Sequence, residues 1–155
     1  MRVIVITNSP ATNDLPELTM VGRKYYGEML AVNQEPAVAA CGQEKGIGIW
    51  EWVGRKKGAE QSTDGTMHGK FAIFDRQVAL VGSHNLDPRS EQLNSETALI
   101  FENEDLATEL AQLVYGHDLA HSRPVLAEDT AHFEQPDEAL YRLRKTFGDL
   151  FEKQL

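Results

Sequence analysis

Two hydrophobic runs near the middle of the chain, Phe71–Phe74 and Val78–Val81, are separated by only three residues. Short runs rich in valine, isoleucine and phenylalanine, broken by a polar turn, are typical of a β-hairpin. We therefore predict strands over Met67–Phe74 and Gln77–Val81, joined by a tight turn at Asp75-Arg76. The polar residues at the ends of this hairpin are the most informative of the chain.

These polar residues follow the spacing H-x-K-x4-D-x6-G-S-x-N, formed by His68, Lys70, Asp75, Ser83 and Asn85. Side chains two apart on a strand project to the same face, so we expect His68 and Lys70 to face one way and Ser83 and Asn85 to share a face. An imidazole, an ammonium, a hydroxyl and an amide around one small volume suit a phosphodiester, because they offer a nucleophile and donors to its non-bridging oxygens. His-x-Lys alone is a weak signal, whereas the complete pattern is much more specific.

The pattern resembles the HKD signature of the phospholipase D superfamily. The resemblance continues through Leu86–Ser90 and Leu93–Glu96, which look like the second HKD half of bacterial cardiolipin synthase-like proteins. Val5–Asp14 is similar to the strand and loop that open that half, and the pattern extends from Arg2 to about Tyr115. The family's active members use two HKD motifs, whereas this chain has one.

The resemblance implies a role for each of these residues. His68 attacks the phosphorus and becomes a phosphohistidine, so that the reaction consists of two displacements. Lys70 and Asn85 bind the phosphoryl oxygens, and Ser83 supports the same site by hydrogen bonding. Glu96 is the carboxylate that orients the His68 imidazole and stabilises its positive charge.

Other groups are harder to assign to the reaction. Asp75 belongs to the catalytic motif, but its place in a turn favours structural support through backbone amides. The general acid must be a second histidine on the far side of the phosphorus. None of the remaining histidines lies in a second H-x-K pattern, and we interpret them as surface or helix residues: His84, His117, His121 and His132. The mechanism needs no cofactor and no metal, and the histidines and carboxylates lack zinc-like spacing.

Composition limits the classes of partner. The chain has 155 residues and a net charge of −9, which fits a single domain over residues 1–155 and weakens a nucleic-acid partner. Cys41 is the only cysteine, which excludes an internal disulfide. Without an apolar span or a signal peptide, we expect a cytoplasmic protein that works peripherally at the membrane. Arg55–Lys57, near Trp50 and Trp52, is a candidate patch for head groups, although we favour a solvated loop beside tryptophans that pack in the core.

The remaining pattern predicts an α/β fold, a single αβα-sandwich lobe with a mixed β-sheet, as in one half of a phospholipase D-type enzyme. Residues 33–45 look like an insertion, and the tail after His121 matches no part of the family pattern. Further strands are predicted at Val3–Ile6, Gly46–Val53 and Glu96–Phe101. One helix is predicted from Asn13 or Asp14, with an apolar face of Leu18, Val21, Tyr25 and Met29. A second is predicted from Asn103, with an apolar face of Leu106, Leu110, Leu113 and Val114. The last is predicted from Asp137, with an apolar face of Leu140, Leu143, Phe147, Leu150 and Phe151.

Three functions remain open. The first is an enzyme that hydrolyses or transfers the phosphatidyl group of a phospholipid, as a homodimer that pairs two copies of His68. The second is a small dimeric nuclease or phosphodiesterase of the same superfamily, which the acidic charge disfavours. The third is an inactive half or partner subunit of a two-motif enzyme, which needs a second HKD-bearing chain.

Overall fold

Two compact units make up the chain: Met1–Met67 with His121–Glu152, and His68–Ala120 with Lys153–Leu155. The computed structural model describes residues 1–57, 60–85, 90–91, 94–134, 142–143, 146 and 150. Within these residues each unit has its own sheet and its own helices, so the two are described separately.

The first unit is built on a three-stranded mixed sheet. β1 (Arg2–Asn8) and β2 (Gly46–Trp52) run parallel and pair along their whole length. β8 (Ser122–Pro124) pairs with the other side of β2 in the antiparallel direction. The β-branched residues of β1 favour an extended backbone, and the central place of β2 buries much of that strand. Both strands predicted in this region are confirmed.

Two short helices, α1 (Pro16–Arg23) and α2 (Tyr26–Ala31), stand where a single helix was predicted. The single-helix prediction was wrong, because the chain makes a turn at residues 24–25 just after Gly22, which favours a helix poorly. The predicted cap at Asn13 or Asp14 was also wrong. Asn13 accepts the Leu15 N–H at 3.1 Å and donates to the Thr19 hydroxyl at 2.9 Å, while the N-cap position is Leu15.

The segment predicted as an insertion, residues 33–45, forms mainly short helical turns. These are 3-10 turns at Val32–Gln34 and Gly42–Glu44 with α3 (Pro36–Ala39) between them. Asn33 both donates to the Ile47 carbonyl and accepts the Ile47 N–H, each at 2.7 Å. A side-chain amide therefore satisfies the backbone of β2 where β8 does not reach it.

Helix α5 (Ala127–Glu134) completes the core of the first unit. The rings of Tyr26 and Phe133 meet edge to face with centroids 6.2 Å apart. No helix was predicted here, because Phe133 is the only large apolar residue in α5. The predicted last helix, from Asp137, lies largely outside the described residues, and its Leu143 and Leu150 are exposed. The core consists of Tyr26, Leu30, Ile49, Val125 and Phe133.

A buried ion pair lies beside this core. Glu51 on β2 is completely buried, and Arg23 at the end of α1 is only 6% exposed. Arg23 Nε and Nη2 donate to the two oxygens of Glu51, each at 2.7 Å. Arg123 of β8 donates to Glu51 Oε2 at 2.9 Å, and the Arg23 guanidinium lies 4.0 Å from the centre of the Phe133 ring. These contacts link α1, β2 and β8 through one carboxylate, and α5 joins them through the Arg23 guanidinium.

A hairpin of β3 (Arg55–Lys57) and β4 (Glu60–Asp64) follows β2. The prediction of a loop at Arg55–Lys57 was therefore wrong. A basic run without alternating apolar residues gives no strand signal in the sequence. Trp52 is buried, and its indole N–H donates to the Gly65 carbonyl at 3.1 Å. Trp50 is half-buried. The predicted packing of the tryptophans is thus confirmed.

The second unit contains the predicted hairpin and a third strand. β5 (Lys70–Phe74), β6 (Val78–Gly82) and β7 (Ala98–Glu102) form an antiparallel sheet in sequence order. Asp75 and Arg76 have φ angles of +50° and +58°, and the Gln77 N–H donates to the Phe74 carbonyl at 3.0 Å, so the two residues form a tight turn within the three-residue loop between Phe74 and Val78. The hairpin is confirmed, although β5 begins at Lys70 rather than at Met67.

Helix α4 (Glu104–Leu113) follows β7 and packs on β5 and β6. The predicted cap is confirmed, since the Asn103 side chain accepts the Leu106 N–H at 2.9 Å. The predicted apolar face was wrong in part: Leu106 and Leu113 are exposed, and Leu110 and Val114 are half-buried, whereas Ala107 and Ala111 are buried. Small side chains let the helix approach the sheet closely. The chain then continues through a π-helical turn at Val114–Asp118 and a 3-10 turn at Leu119–His121.

The α/β class and a mixed sheet are therefore confirmed, whereas the single domain over residues 1–155 stays a prediction. None of the helices in the described residues combines the length and apolar character that a transmembrane helix requires.

We expect Arg23→Met to destabilise the protein by about 3 kcal/mol or more, because it leaves most of a buried carboxylate's charge unpaired. The matched control is Arg123→Met, since Arg123 binds the same carboxylate but its side chain is 46% exposed. That variant should cost about 1 kcal/mol or less. Urea unfolding of both variants measures the difference, and equal losses would contradict the dominant role of Arg23.

Candidate active site

The pairing of β5, β6 and β7 brings the motif residues to one end of the sheet. Lys70, Gly82 and Ala98 lie opposite one another at the first paired row of this end. Just beyond it, the Ser83 N–H donates to the Thr97 carbonyl at 2.9 Å, so the pairing continues past the last ladder residue. The segment that follows β6 and the segment that precedes β7 are thereby held next to each other.

Gly82 is required at this point by close backbone contact. A Cβ atom added there would lie 2.5 Å from the Thr97 carbonyl oxygen and 3.0 Å from the Ala98 Cα. Both are backbone atoms, which cannot rotate away as a flexible side chain would. Any larger residue would therefore push β6 from β7 beside Ser83.

Glu96 is held by two serine hydroxyls. Ser83 Oγ donates to Glu96 Oε2 at 2.5 Å, and Ser90 Oγ donates to Glu96 Oε1 at 3.0 Å. Ser83 Oγ also accepts the Thr97 N–H at 3.0 Å, which sets the rotamer of the serine. The sequence resemblance placed Ser83 and Glu96 in one site, and the structure brings them into direct contact.

These contacts stabilise the charged form of Glu96. The hydrogen bond from Ser83 is the largest cause that lowers its pKa below the ordinary value of 4.5, and partial desolvation acts in the opposite direction. Hydrogen bonds from Ser90 and Asn94 and the positive charge of His84 lower the pKa further. The site therefore contains a fixed negative charge at neutral pH.

His68 and Lys70 lie at the same end of the sheet but not on one strand. His68 is exposed and precedes β5, so the predicted strand alternation does not apply to it. Lys70 is the first residue of β5, and its Nζ donates to the His68 carbonyl at 2.9 Å. Among the described residues, Glu96 makes no hydrogen bond to His68, and the orienting role of Glu96 stays a prediction.

Asp75 is not brought into this group. It lies in the turn between β5 and β6, five residues along the strand from Lys70. At about 3.4 Å per residue, the two are roughly 17 Å apart. Its left-handed backbone angle agrees with the structural role that the sequence analysis gave to a residue in a turn.

Ser90 is the residue that the sequence analysis missed. It is 4% exposed, and its Oγ accepts the backbone N–H of Asn85 at 3.3 Å while donating to Glu96. Asn85 itself is exposed. The only signal of Ser90 in the sequence was its place at the end of the Leu86–Ser90 string, beyond the spaced pattern.

The other histidines have varied surroundings. His84 is half-buried and acts on Glu96 through its charge. His117 Nδ1 is 2.9 Å from Asp118 Oδ1, and the His121 ring lies 5.6 Å from the Trp52 ring. In the described ranges no group of three or more histidine, cysteine or carboxylate side chains is arranged to hold a metal ion.

The family model described as "Cardiolipin synthase, PLD-like domain" matches residues 1–115. The chain belongs to the phospholipase D superfamily. It is 31% identical to cardiolipin synthase A of Erwinia tasmaniensis over 110 residues, or 71% of this chain. It is 25% identical to cardiolipin synthase A of Buchnera aphidicola over 97% of this chain.

The fold is also similar to that of a phosphatidylserine synthase from Haemophilus influenzae, with a TM-score of 0.66 and 21% identity. That similarity covers 99% of this chain and 35% of the other. The chain spans 18% and 24% of the length of the two cardiolipin synthases. It therefore corresponds to a part of these larger phospholipase D-type proteins.

We expect Gly82→Ala to destabilise the protein by about 1–3 kcal/mol, because the new methyl group collides with the β7 backbone. The matched control is Gly22→Ala, since a Cβ atom at this helical position meets nothing within 4 Å. That change should be neutral or stabilise by up to about 1 kcal/mol. Urea unfolding tests both variants, and a Gly82→Ala protein as stable as wild type would contradict the close contact.

Proposed function

We propose that the chain is a phospholipase D-type catalytic half that cleaves or transfers a phosphodiester of a phospholipid through a covalent phosphohistidine at His68. The observation that carries the proposal is the meeting of Lys70, Ser83 and Glu96 at one end of a single sheet, with His68 and Asn85 exposed beside it. An exposed imidazole near donors for phosphoryl oxygens is the arrangement that nucleophilic attack on phosphorus requires.

The first displacement begins when a nitrogen of His68 attacks the phosphorus. A phosphorus–nitrogen bond forms, the bond to the leaving oxygen breaks, and the general acid donates a proton to that oxygen. Lys70 and Asn85 bind the non-bridging oxygens, where negative charge accumulates in the transition state. In the second displacement an acceptor hydroxyl gives its proton to the group that served as general acid and attacks the same phosphorus, and the phosphorus–nitrogen bond breaks.

The general acid comes from a second HKD half. In-line displacement places the attacking and leaving groups on opposite sides of the phosphorus, so one His68 cannot serve both. A symmetric dimer supplies a second His68 in the facing position. A different HKD-bearing chain would supply an equivalent histidine, and the chain would then be one half of a two-part enzyme.

A phospholipid is the favoured substrate class. The two relatives described above are cardiolipin synthases, and the protein of similar fold is a phosphatidylserine synthase, names that both refer to phospholipids. A nuclease or another phosphodiesterase of the superfamily is the second candidate. The net charge of −9 counts against it, because phosphate contacts dominate nucleic-acid affinity. The cytoplasmic location at a membrane surface predicted from the sequence belongs to this proposal.

We expect His68→Asn to abolish turnover and the covalent adduct while the fold is retained, since His68 is exposed. Lys70→Ala should lower turnover by about a hundredfold or more, as for loss of one oxyanion donor. Turnover of a short-chain phospholipid measures the first effect. Intact mass after an alkaline quench measures the adduct, because a phosphohistidine is labile in acid.

Two further variants make this experiment specific. Lys24→Ala removes the same charge just after α1 and should leave turnover unchanged. Asp75→Asn should keep most of the activity, because Asp75 lies at the opposite end of the hairpin. An active His68→Asn protein, or one that still forms the adduct, would rule out His68 as the nucleophile.

Mixing wild-type and His68→Asn chains tests the paired site. If two copies share one site, only dimers with two intact histidines turn over, and activity falls with the square of the wild-type fraction. Light scattering should then give twice the chain mass of 17.3 kDa. A linear fall in activity would contradict a shared site, and a monomer inactive alone would favour a separate HKD-bearing partner.

A further inference from the structure

Ser90 connects two segments of the site that the motif leaves separate. Its hydroxyl donates to Glu96 Oε1 at 3.0 Å and accepts the backbone N–H of Asn85 at 3.3 Å. The serine is 4% exposed, so water does not compete freely for these bonds. One buried hydroxyl thus joins the residue proposed to bind phosphate to the carboxylate that precedes β7.

From this geometry we infer that Ser90 is a positioning residue, which fixes the Asn85 backbone against Glu96 so that the Asn85 amide meets a phosphoryl oxygen. The inference rests on the proposed function, because it takes the Asn85 side chain to bind a phosphoryl oxygen. The connection itself rests on contacts within one unit of the fold.

The two serines bind different oxygens of Glu96. Ser83 is part of β6's extension and is fixed by the Thr97 N–H at 3.0 Å, so its bond follows from the strand pairing. Asn85 lies two residues beyond Ser83, outside the strand, and its backbone N–H donates to Ser90 instead. The bond to Ser90 therefore fixes the backbone at Asn85, as the pairing with Thr97 fixes the backbone at Ser83.

Ser90→Ala removes both bonds at once. Glu96 loses one donor, so its carboxyl should titrate at higher pH than in wild type. Asn85 loses its backbone acceptor, and a misplaced oxyanion donor lowers kcat with little change in KM. We expect a fall in kcat of about tenfold to a hundredfold, the scale of a small misplacement of a catalytic group.

Three variants separate positioning from folding. Ser90→Thr keeps the hydroxyl and should restore most of the activity, and Ser90→Cys keeps the size with a weaker donor and should give an intermediate value. Ser95→Ala is the matched control, because Ser95 is exposed, lies next to Glu96, and makes no side-chain hydrogen bond with the described residues. It should change neither the titration nor kcat.

The readouts are the carboxyl ¹³C titration of Glu96, assigned with Glu96→Gln, and the steady-state kinetics of the full-length chain. The side-chain amide signal of Asn85, followed while inorganic phosphate is added, is a third readout that does not require turnover. Ser90→Ala should raise the Glu96 midpoint and weaken the response of Asn85 to phosphate, and Ser90→Thr should reverse both.

The outcomes for Ser90 and for the proposed function are distinct. An unchanged Glu96 titration or an unchanged Asn85 response in a folded Ser90→Ala protein overturns the positioning role, whatever the enzyme does. An active wild type with equally active Ser90→Ala also overturns it. If wild type turns over no phosphodiester but phosphate still shifts Asn85 in a Ser90-dependent way, the proposed function fails and the positioning role stands.

Discussion

The close pairing of β6 with β7 is the constraint on which the site depends. Gly82 lies so near the Thr97 carbonyl that no side chain fits between them, and this lets Ser83 continue the pairing beyond the strand. The same pairing brings Glu96, which precedes β7, within reach of Ser83, which follows β6. A wider separation of the two strands would break this bond and move the segment after β6 away from Glu96. The arrangement of the proposed site is therefore a consequence of a backbone distance in the sheet, and the glycine of the motif has a steric role.

The serine contacts also decide what Glu96 can do. A carboxylate offers about four lone-pair positions. The bonds from Ser83 and Ser90 occupy one on each oxygen, and Asn94 supplies a third hydrogen bond. The remaining position allows Glu96 to accept an N–H from an imidazole without releasing these donors. The role implied by the family resemblance is thus chemically compatible with the observed contacts, although it requires His68 to approach. A carboxylate that stays charged near neutral pH would stabilise the cation formed when the imidazole is phosphorylated.

The parts that the sequence predicted are those in which the signal is local. The hairpin follows from two apolar runs and a turn, and the Asn103 cap follows from one residue in front of a helical pattern. The parts it missed depend on partners distant in the chain. Ala107 and Ala111, rather than Leu106 and Leu113, are buried because the helix lies close to the sheet, and helical periodicity alone does not reveal that distance. Nothing in the sequence indicated that Glu51 is buried, because its partner Arg23 lies 28 residues earlier in the chain. Ser90 was missed for the same reason, since its two partners are joined only in the folded chain.

A contrast between buried and exposed polar groups bears on the need for a second half. The first unit removes Glu51 from water completely and gives it two arginines, which is an arrangement for stability. In the proposed site, by contrast, His68 and Asn85 are exposed. Electrostatic stabilisation of a phosphoryl transition state is much stronger where water is excluded, and transfer to an alcohol also requires that water be kept from the phosphohistidine. An open half-site can satisfy neither condition. On the proposed mechanism, the facing half must therefore supply cover for the intermediate as well as the general acid, and an enzyme that transfers rather than hydrolyses needs the more complete closure.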